Sequence, residues 1–448
     1  MKKTFFKIAD GVTPERVSRG FVAVGSDGRI IRVGDGEPQP SLIDEATECI
    51  DGEGRLLMAG AIDCHVHFRE PGLTHKATMA TESRAAVAGG VTSFFDMPNT
   101  VPQTVTVDAV NRKAEIAAAT SVANYAFFIG ATNDNLDELL AADYSRVAGI
   151  KLFMGSSTGN MLVDEEQALC RLFEAAPAII SVHAEDEATI KAAREAIEAE
   201  YGADAPVSLH TRMRPAEACY KATAHAVELA RRYGARLHVA HLTTAAELAL
   251  LDPPAPVEEK LITAEVSPHH LTWTTDDYER KGARIKMNPS VKTAEDRAAL
   301  REALAVGRID IVATDHAPHL LTEKEGSLFK AVSGAPMVQF SLPVMLGLYD
   351  PELVTRVMSD NPARLFGITD RGKIAEGNYA DLVLVEKLAE PVTLTDSDAL
   401  SLCGWTPLAG EKLTHRVVNT WVNGNLVYAD GVIDDRHKGM QITFNPRR

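Results

Sequence analysis

Eight short runs of apolar residues recur along the middle of the chain, and stretches of helical composition separate them. Their continuous apolar character is typical of parallel strands that are buried on both faces. Strands that alternate with helices predict an α/β protein, here a (β/α)8 TIM-type barrel, with an open doubly wound sheet as the alternative. The predicted strands are Gly60–His67, Thr92–Met97, Ala123–Ile129, Gly149–Met154, Ala178–His183, Arg236–His241, Leu261–Val266 and Asp310–Asp315.

Both ends of the chain show a different pattern, with short β-type runs punctuated by glycine. Asp27-Gly28 and Asn423-Gly424 are dipeptides that favour tight hairpin turns. We therefore expect residues 1–56 and 370–448 to form one discontinuous β-sandwich domain, with the barrel spanning residues 57–369.

Composition and charge narrow the functional classes. Hydrophobic residues make up 45% and charged residues 24% of the 448, which is typical of globular proteins. The net charge of −16 argues against nucleic acid as a partner, and the absence of a long apolar run argues against a membrane span. Five dispersed cysteines and the lack of a signal-peptide pattern predict a reducing, cytoplasmic setting.

Polar residues that can bind metals stand at the ends of the predicted strands. In a barrel, functional groups gather at the carboxyl ends of the strands. His65 and His67 are two residues apart, so on a strand both side chains face the same way. Alone they could equally be a buried hydrogen-bonded pair, but imidazoles together with a carboxylate suit zinc. The further candidates at strand ends are His183, His241 and Asp315.

Lys151 lies in the fourth predicted strand, and a lysine is unusual among candidate metal ligands. A protonated amine cannot bind a metal, and burying it without a partner is costly. Its amine could reach out to the barrel mouth. Alternatively, carbon dioxide could carboxylate the neutral amine, and the resulting carbamate could bridge two metal ions.

Several stretches, taken together and in this order, resemble the dihydroorotase family of the amidohydrolase superfamily. The resemblance covers roughly residues 50–385, and the flanking sheet domain is also usual in the superfamily. The stretches are DCHVHFREPGLTHKAT, AAVAGGVTSFFDMPNT, GIKLFMGSS, VHAED, LHVAHLTTA, KMNPSVK, ATDHAPH and MSDNPARLFG.

The resemblance implies a site with two divalent metal ions, for which zinc is expected. His65, His67 and Asp315 would bind one ion, and His183 and His241 the other. Carboxylated Lys151 would bridge the ions together with a hydroxide. Asp315 would also be catalytic, by carrying a proton, and Asp63 would orient an imidazole.

The resemblance also implies residues that bind the substrate. Arg69 and Asn99 match positions that hold a substrate carboxylate, for which a planar guanidinium is well suited, although alone Arg69 could form a surface ion pair. Asn288, His319 and Gly334 match further substrate contacts. This chain departs from the family pattern at Asn288-Pro289-Ser290-Val291-Lys292 and at Ser333, where relatives have NPPLR and an aromatic residue.

The implied activity is the reversible cyclisation of N-carbamoyl-L-aspartate to dihydroorotate, a step of pyrimidine synthesis. The substrate is then a small anion, and the enzyme could be a homodimer or a larger homo-oligomer. A hydantoinase or allantoinase is the alternative, and a non-catalytic scaffold relative is the remote one. Residues 320–333 are expected to form either a mobile lid or an ordinary connecting loop. For a lid, deleting Thr322–Leu328 should reduce activity far more than stability.

Overall fold

The computed structural model describes residues 3–36, 47–155 and 161–445, so Ser156 and Ser157 of the GIKLFMGSS stretch lie outside the described residues. The described strands are β1 Lys3–Val12, β2 Val17–Val24, β3 Ile30–Asp35, β4 Thr47–Asp51, β5 Arg55–Ala59, β6 Ala61–Val66, β7 Val91–Asp96, β8 Asn124–Gly130, β9 Val147–Met154, β10 Ile180–Ala184, β11 Leu237–Val239, β12 Ile262–Val266, β13 Ile311–Val312, β14 Leu382–Thr393, β15 Lys412–Val422, β16 Asn425–Ala429 and β17 Val432–Ile433.

The described helices lie mainly between the strands of the middle region. They are α1 Met79–Ala88, α2 Val107–Thr120, α3 Leu136–Ala141, α4 Glu166–Ala175, α5 Glu187–Tyr201, α6 His210–Met213, α7 Ala216–Tyr233, α8 Pro268–Thr272, α9 Tyr278–Lys281, α10 Ala294–Ala305, α11 Ser341–Leu348, α12 Pro351–Thr355 and α13 Asn361–Phe366. Among the described residues, none of these helices is both long and apolar enough to cross a membrane.

Strands β6 to β13 form an eight-stranded parallel sheet in which neighbours follow chain order. The sheet closes on itself where Val66 bridges His316, and the amide of His67 donates to the carbonyl of His316 at 2.7 Å. Each observed strand falls on one of the predicted apolar runs, and β7 to β10 are buried along their whole length. The predicted (β/α)8 barrel is therefore confirmed.

The two ends of the chain form one hydrogen-bonded sheet of nine strands, in the order β17-β16-β15-β14-β5-β1-β2-β3 with β4 on β1. Antiparallel pairing of β5 with β14 joins the two ends, which confirms the second, composite sheet domain. Asn423 and Gly424 both have positive φ angles, 52° and 77°, as the predicted tight turn between β15 and β16 requires. The exact domain boundaries stay a prediction.

Helix α7 shows how the sequence determines the barrel's outer layer. It begins after Pro215 and ends at Gly234, which has the left-handed φ of 70° that commonly terminates a helix. Its alanine-rich face is buried, with Ala218, Ala222 and Ala226 facing inward. These small side chains let the helix pack closely on the barrel, next to strand β10.

The C-terminal region also reaches the barrel. The ring of Phe444 packs edge to face on Phe95, with centroids 5.6 Å apart. Trp405, in the connection between β14 and β15, donates its indole N–H to the carbonyl oxygen of His319 at 2.7 Å. The sheet domain thus helps to support a loop at the mouth of the barrel.

Candidate active site

One cavity of about 450 Å³ collects the strand-end residues singled out from the sequence. Its lining includes every candidate metal ligand and every candidate substrate contact. These are His65, His67, Lys151, His183, His241 and Asp315, and then Arg69, Asn99, Asn288, His319 and Gly334.

His65, His67 and Asp315 form the first ligand group. Nε2 of His67 lies 3.0 Å from Oδ1 of Asp315, and Nε2 of His65 lies 3.4 Å from the same oxygen. One potential ligand atom from each residue lies within 4.8 Å of the others. Three donors that converge from two strand ends have the chemistry of a divalent metal site.

His183 and His241 form the second ligand group. Nδ1 of His183 lies 2.9 Å from Nε2 of His241, and the two rings are 4.7 Å apart at nearly right angles. The ring of His241 is also 5.3 Å from that of His65, so the two groups are adjacent. Nδ1 of His241 is buried and has no hydrogen-bond partner among the described residues.

Burial favours the neutral form of three imidazoles in the cavity. It lowers the pKa of His67 to about 4 and that of His241 well below its usual range, and it also lowers the pKa of His183. A neutral imidazole has a free lone pair, which metal binding requires.

Lys151 points its amine into this cavity from β9. Its side chain is fully buried, and Nζ has no hydrogen-bond partner among the described residues. Burial lowers the pKa of Lys151 to about 8, so a larger fraction of the amine is neutral than in an exposed lysine. A buried, unpaired amine beside two groups of metal ligands fits the chemistry of a carbamate ligand, and it does not fit an amine that reaches out to solvent.

Three residues of the cavity have strained backbones. Arg69, His241 and Asp315 have φ angles of 64°, 37° and 49°, in the left-handed region that side chains rarely adopt. Among the described residues only two other non-glycine residues share this feature. Strain of this kind persists where surrounding structure fixes a functional geometry.

The expectation for Asp63 is wrong in its detail. Its carboxylate accepts hydrogen bonds from the backbone amide of Thr314 at 3.0 Å, from the hydroxyl of Thr314 at 2.6 Å and from the backbone amide of His65 at 3.3 Å. It therefore joins the ends of the first and last strands and orients no imidazole. The imidazole of His65 is oriented by Glu265 instead.

Arg69 is the most unusual cation of the cavity. Its side chain is buried, Nε donates to the carbonyl of Pro318 at 3.1 Å, and Nη2 lies 2.9 Å from Nε2 of His319. Among the described residues it makes no ion pair. Lys76, which was not predicted from the sequence, also lines the cavity, and its Nζ lies 3.1 Å from Nδ1 of His319. Between these two cations and in a buried position, His319 has a lowered pKa.

Asn288 and Gly334, two further predicted substrate contacts, also line the cavity. Oδ1 of Asn288 is buried without a hydrogen-bond partner among the described residues, so it can accept a bond from a ligand. Gly334 has a φ of 124°, and a Cβ there would lie 2.8 Å from the carbonyl oxygen of Ala317. This position therefore requires glycine, whereas Ser333 beside it lines the cavity with a small polar side chain.

Two buried glutamates of the site were not among the residues predicted from the sequence. Glu265 binds His65, and Glu185 binds His183 at 3.1 Å and also Arg214. Each is a charged residue within or just beyond an apolar strand, and that is the signal that could have revealed it. Nε2 of His238 lies 3.1 Å from Oε2 of Glu265.

Of the predicted lid 320–333, residues Phe329 to Ser333 form part of the cavity wall. The segment is firmly attached, since the amine of Lys324 donates to the carbonyls of Val332 and Gly334, each at 2.7 Å. Leu328 is fully buried against Ile197, Ala205 and Met213. Deleting Thr322–Leu328 would therefore remove core contacts, and the expected large gap between lost activity and lost stability does not follow. Opening of the lid stays a prediction.

Comparison with known proteins identifies the class to which this fold and site belong. The family model for the amidohydrolase family matches residues 56–427. The chain belongs to the amidohydrolase family.

Individual relatives include a dihydroorotase, an allantoinase and a hydantoinase. A dihydroorotase of Halobacterium salinarum is 39% identical over 87% of this chain and 91% of its own length. An allantoinase of Bacillus velezensis is 32% identical over 95% of this chain and 94% of its own length. The structure of an L-hydantoinase from Arthrobacter aurescens matches with a TM-score of 0.91 at 29% identity, over 99% of this chain and 100% of its own.

Proposed function

We propose that this protein is a dihydroorotase, which interconverts N-carbamoyl-L-aspartate and dihydroorotate. The observation that carries the proposal is Arg69, a buried guanidinium that lines the cavity and makes no ion pair among the described residues. Asp315, Asp96 and Glu323 attract this guanidinium without pairing directly with it. A buried cation without a direct partner is costly, and a substrate carboxylate would supply that partner. The rings of hydantoin and allantoin carry no carboxylate.

The remaining charges of the cavity support an anionic substrate. Lys286 and Lys330 line the cavity together with Arg69, and so does Lys76, which is already paired with Glu323 at 2.7 Å. Of the described residues in this lining, Asp315 is the one carboxylate, and it belongs to the first ligand group. Local positive charge of this kind can capture an anion although the whole chain has a net charge of −16.

The donor set also supports two divalent metal ions, with zinc the best match to imidazole and carboxylate ligands. His65, His67 and Asp315 would hold one ion, His183 and His241 the other, and Lys151 as a carbamate would bridge them. When bound, the ions would supply a Lewis acid for the amide carbonyl and lower the pKa of a water molecule.

The side chains then have separate tasks in hydrolysis of the ring. Arg69 binds the substrate carboxylate and so orients the ring amide toward Asp315. A carboxylate oxygen of Asp315 takes a proton from the attacking water and gives it to the ring nitrogen as the C–N bond breaks. In ring closure Asp315 starts protonated and the same steps run in reverse. The loop from Phe329 to Ser333 excludes solvent from the cavity.

The proposal is tested by turnover of dihydroorotate, hydantoin and allantoin by the purified protein, with metal counted per chain. We expect dihydroorotate to be the preferred substrate and two metal ions to be bound. Allantoinase activity is the rival outcome, because the allantoinase of B. velezensis aligns with 95% of this chain. Preference for either neutral ring would contradict the proposal.

A further inference from the structure

Each ligand group is fixed from outside the cavity by one buried glutamate. Oε1 of Glu265 accepts a hydrogen bond from Nδ1 of His65 and, at 3.1 Å, from the backbone amide of His241. Its other oxygen lies 3.1 Å from Nε2 of His238. A single carboxylate thus fixes the ring of His65 and ties it to the strand end that carries His241.

Glu185 has the corresponding position behind the second ligand group. Its Oε2 accepts from Nε2 of His183 at 3.1 Å, which leaves Nδ1 of that ring to face His241. The same oxygen forms a buried ion pair with the guanidinium of Arg214. The side chain of Glu185 is fully buried, and that of Arg214 is only 7% exposed.

The two glutamates differ in how their charge is compensated. Among the described residues Glu265 forms ion pairs only with histidines, His65 and His238, whereas Glu185 is paired with a permanent cation.

Because of this difference, the electrostatic field at the first ligand group is more favourable to a cation than the field at the second. A carboxylate bound to a ligand histidine increases the basicity of that ring and strengthens metal binding. The charge of Glu265 is available for this effect, and Asp315 adds a second negative charge to the first group. At the second group Arg214 cancels the charge of Glu185 and repels a cation in surroundings of low dielectric constant.

We propose that Glu265 and Glu185 are positioning residues that give the two metal sites unequal affinities. The first site, His65, His67 and Asp315, retains its ion, and the second site, His183 and His241, releases its ion first. This inference rests on the two-metal part of the proposed function. Glu265 strengthens the first site directly, and Arg214 weakens the second site through Glu185.

The test is stepwise removal of metal from the zinc-loaded protein by rising concentrations of a chelator, with zinc per chain counted by mass spectrometry. We expect two separate steps of one ion each. Glu265→Gln should lower the zinc affinity of the first site by about 10- to 100-fold. The later release step should then occur at a lower chelator concentration. Glu185→Gln should move only the earlier step. Glu247→Gln is the matched control, because Glu247 is buried and binds the hydroxyls of Thr223 and Thr244, each at 2.7 Å.

Arg214→Met separates the effect of charge from a merely structural role. If Arg214 were only a structural support, its loss would weaken binding of the ion at the second site. If its charge cancels that of Glu185, the substitution should strengthen binding there and bring the two release steps closer together. If this variant does not fold, the comparison of Glu265→Gln, Glu185→Gln and Glu247→Gln still decides the question.

The outcomes for this inference and for the proposed function are distinct. Release of both ions in one step, or a Glu265→Gln profile equal to that of Glu247→Gln, would overturn the inference and leave the substrate proposal intact. Two unequal steps in a protein that does not turn over dihydroorotate would support the inference and contradict the proposed substrate. A protein that binds no zinc would overturn the two-metal site and this inference together.

Discussion

The amide oxygen of Asn99 lies 2.7 Å from Nδ1 of His67. Because an amide oxygen only accepts, the imidazole must carry its proton on Nδ1. Nε2, 3.0 Å from Asp315, is then left with the lone pair that a metal requires. Asn99 was expected to contact the substrate, and the structure gives it a further task in fixing the tautomer of a candidate metal ligand.

Asn99→Ala should therefore weaken metal binding as well as substrate binding. Loss of a partner that orients a ligand histidine typically costs 10- to 100-fold in metal affinity. The measurement is zinc per chain after dialysis against a weak chelator, together with KM. Asn99→Asp keeps an acceptor at the same place and should retain metal. Full metal retention by Asn99→Ala would show that the hydrogen bond to His67 is not needed.

Lys151→Ala should reduce the metal content from two ions per chain to one or fewer. The reason is that the bridging carbamate is lost while all other ligands remain. Carbamate formation itself can be observed as a ¹³C NMR signal after incubation of the wild-type protein with ¹³C-bicarbonate and zinc. Lys151→Gln, which cannot be carboxylated, is the control of similar size. Two ions per chain in either variant would contradict the carbamate bridge.

Side-chain truncation of two neighbouring residues in the loop 320–333 should have different effects on stability and on activity. Leu328 is fully buried, so Leu328→Ala should lower the free energy of unfolding by about 2–5 kcal/mol. Phe329 is only partly buried and lines the cavity, so Phe329→Ala should affect kcat/KM more than stability. Urea denaturation and steady-state kinetics measure the two effects. Equal losses in both quantities for both variants would count against a role of this loop in turnover.

Lys113 and Asp96 form a fully buried ion pair with an N–O distance of 2.5 Å. Asp96 also accepts a hydrogen bond from the backbone amide of Phe68, next to His67 and Arg69, at 2.7 Å. Lys113→Met would leave a buried carboxylate without its partner, which should cost about 3–5 kcal/mol of unfolding free energy.

The adjacent residue offers the control for this prediction. Arg112 and Asp108 form an exposed pair at 2.6 Å, so Arg112→Met should cost less than about 1 kcal/mol. Urea denaturation of both variants makes the comparison. Similar costs at the two sites would show that burial of the Lys113 pair does not determine its contribution.

The sequence permitted prediction of the barrel and of the residues that meet in its cavity. The apolar runs mark the strands because parallel strands are buried on both faces. Residues such as His65, His183 and Asp315, which follow these runs, must then meet, since the carboxyl ends of all eight strands lie at one end of the barrel. Their convergence can therefore be predicted without knowledge of how individual side chains pack.

The supporting contacts could not be predicted in this way. Asp63 precedes His65 and His67, which suggested that it orients an imidazole, but its carboxylate binds backbone amides. Glu265 lies 200 residues from His65 in sequence, and only the closed barrel brings the two together. The burial of Leu328 similarly depends on helices that come more than a hundred residues earlier in the chain.

The selectivity between anionic and neutral rings tests the central claim most directly. The measurement is kcat/KM for dihydroorotate and for hydantoin in the zinc-loaded wild type and in Arg69→Met. The wild type should prefer dihydroorotate, and Arg69→Met should lose at least about tenfold of that activity, since bonds to charged groups contribute about 1.5–3 kcal/mol. Its activity toward hydantoin should be unchanged. A wild type that prefers hydantoin, or an Arg69→Met variant that keeps full activity toward dihydroorotate, would contradict the account.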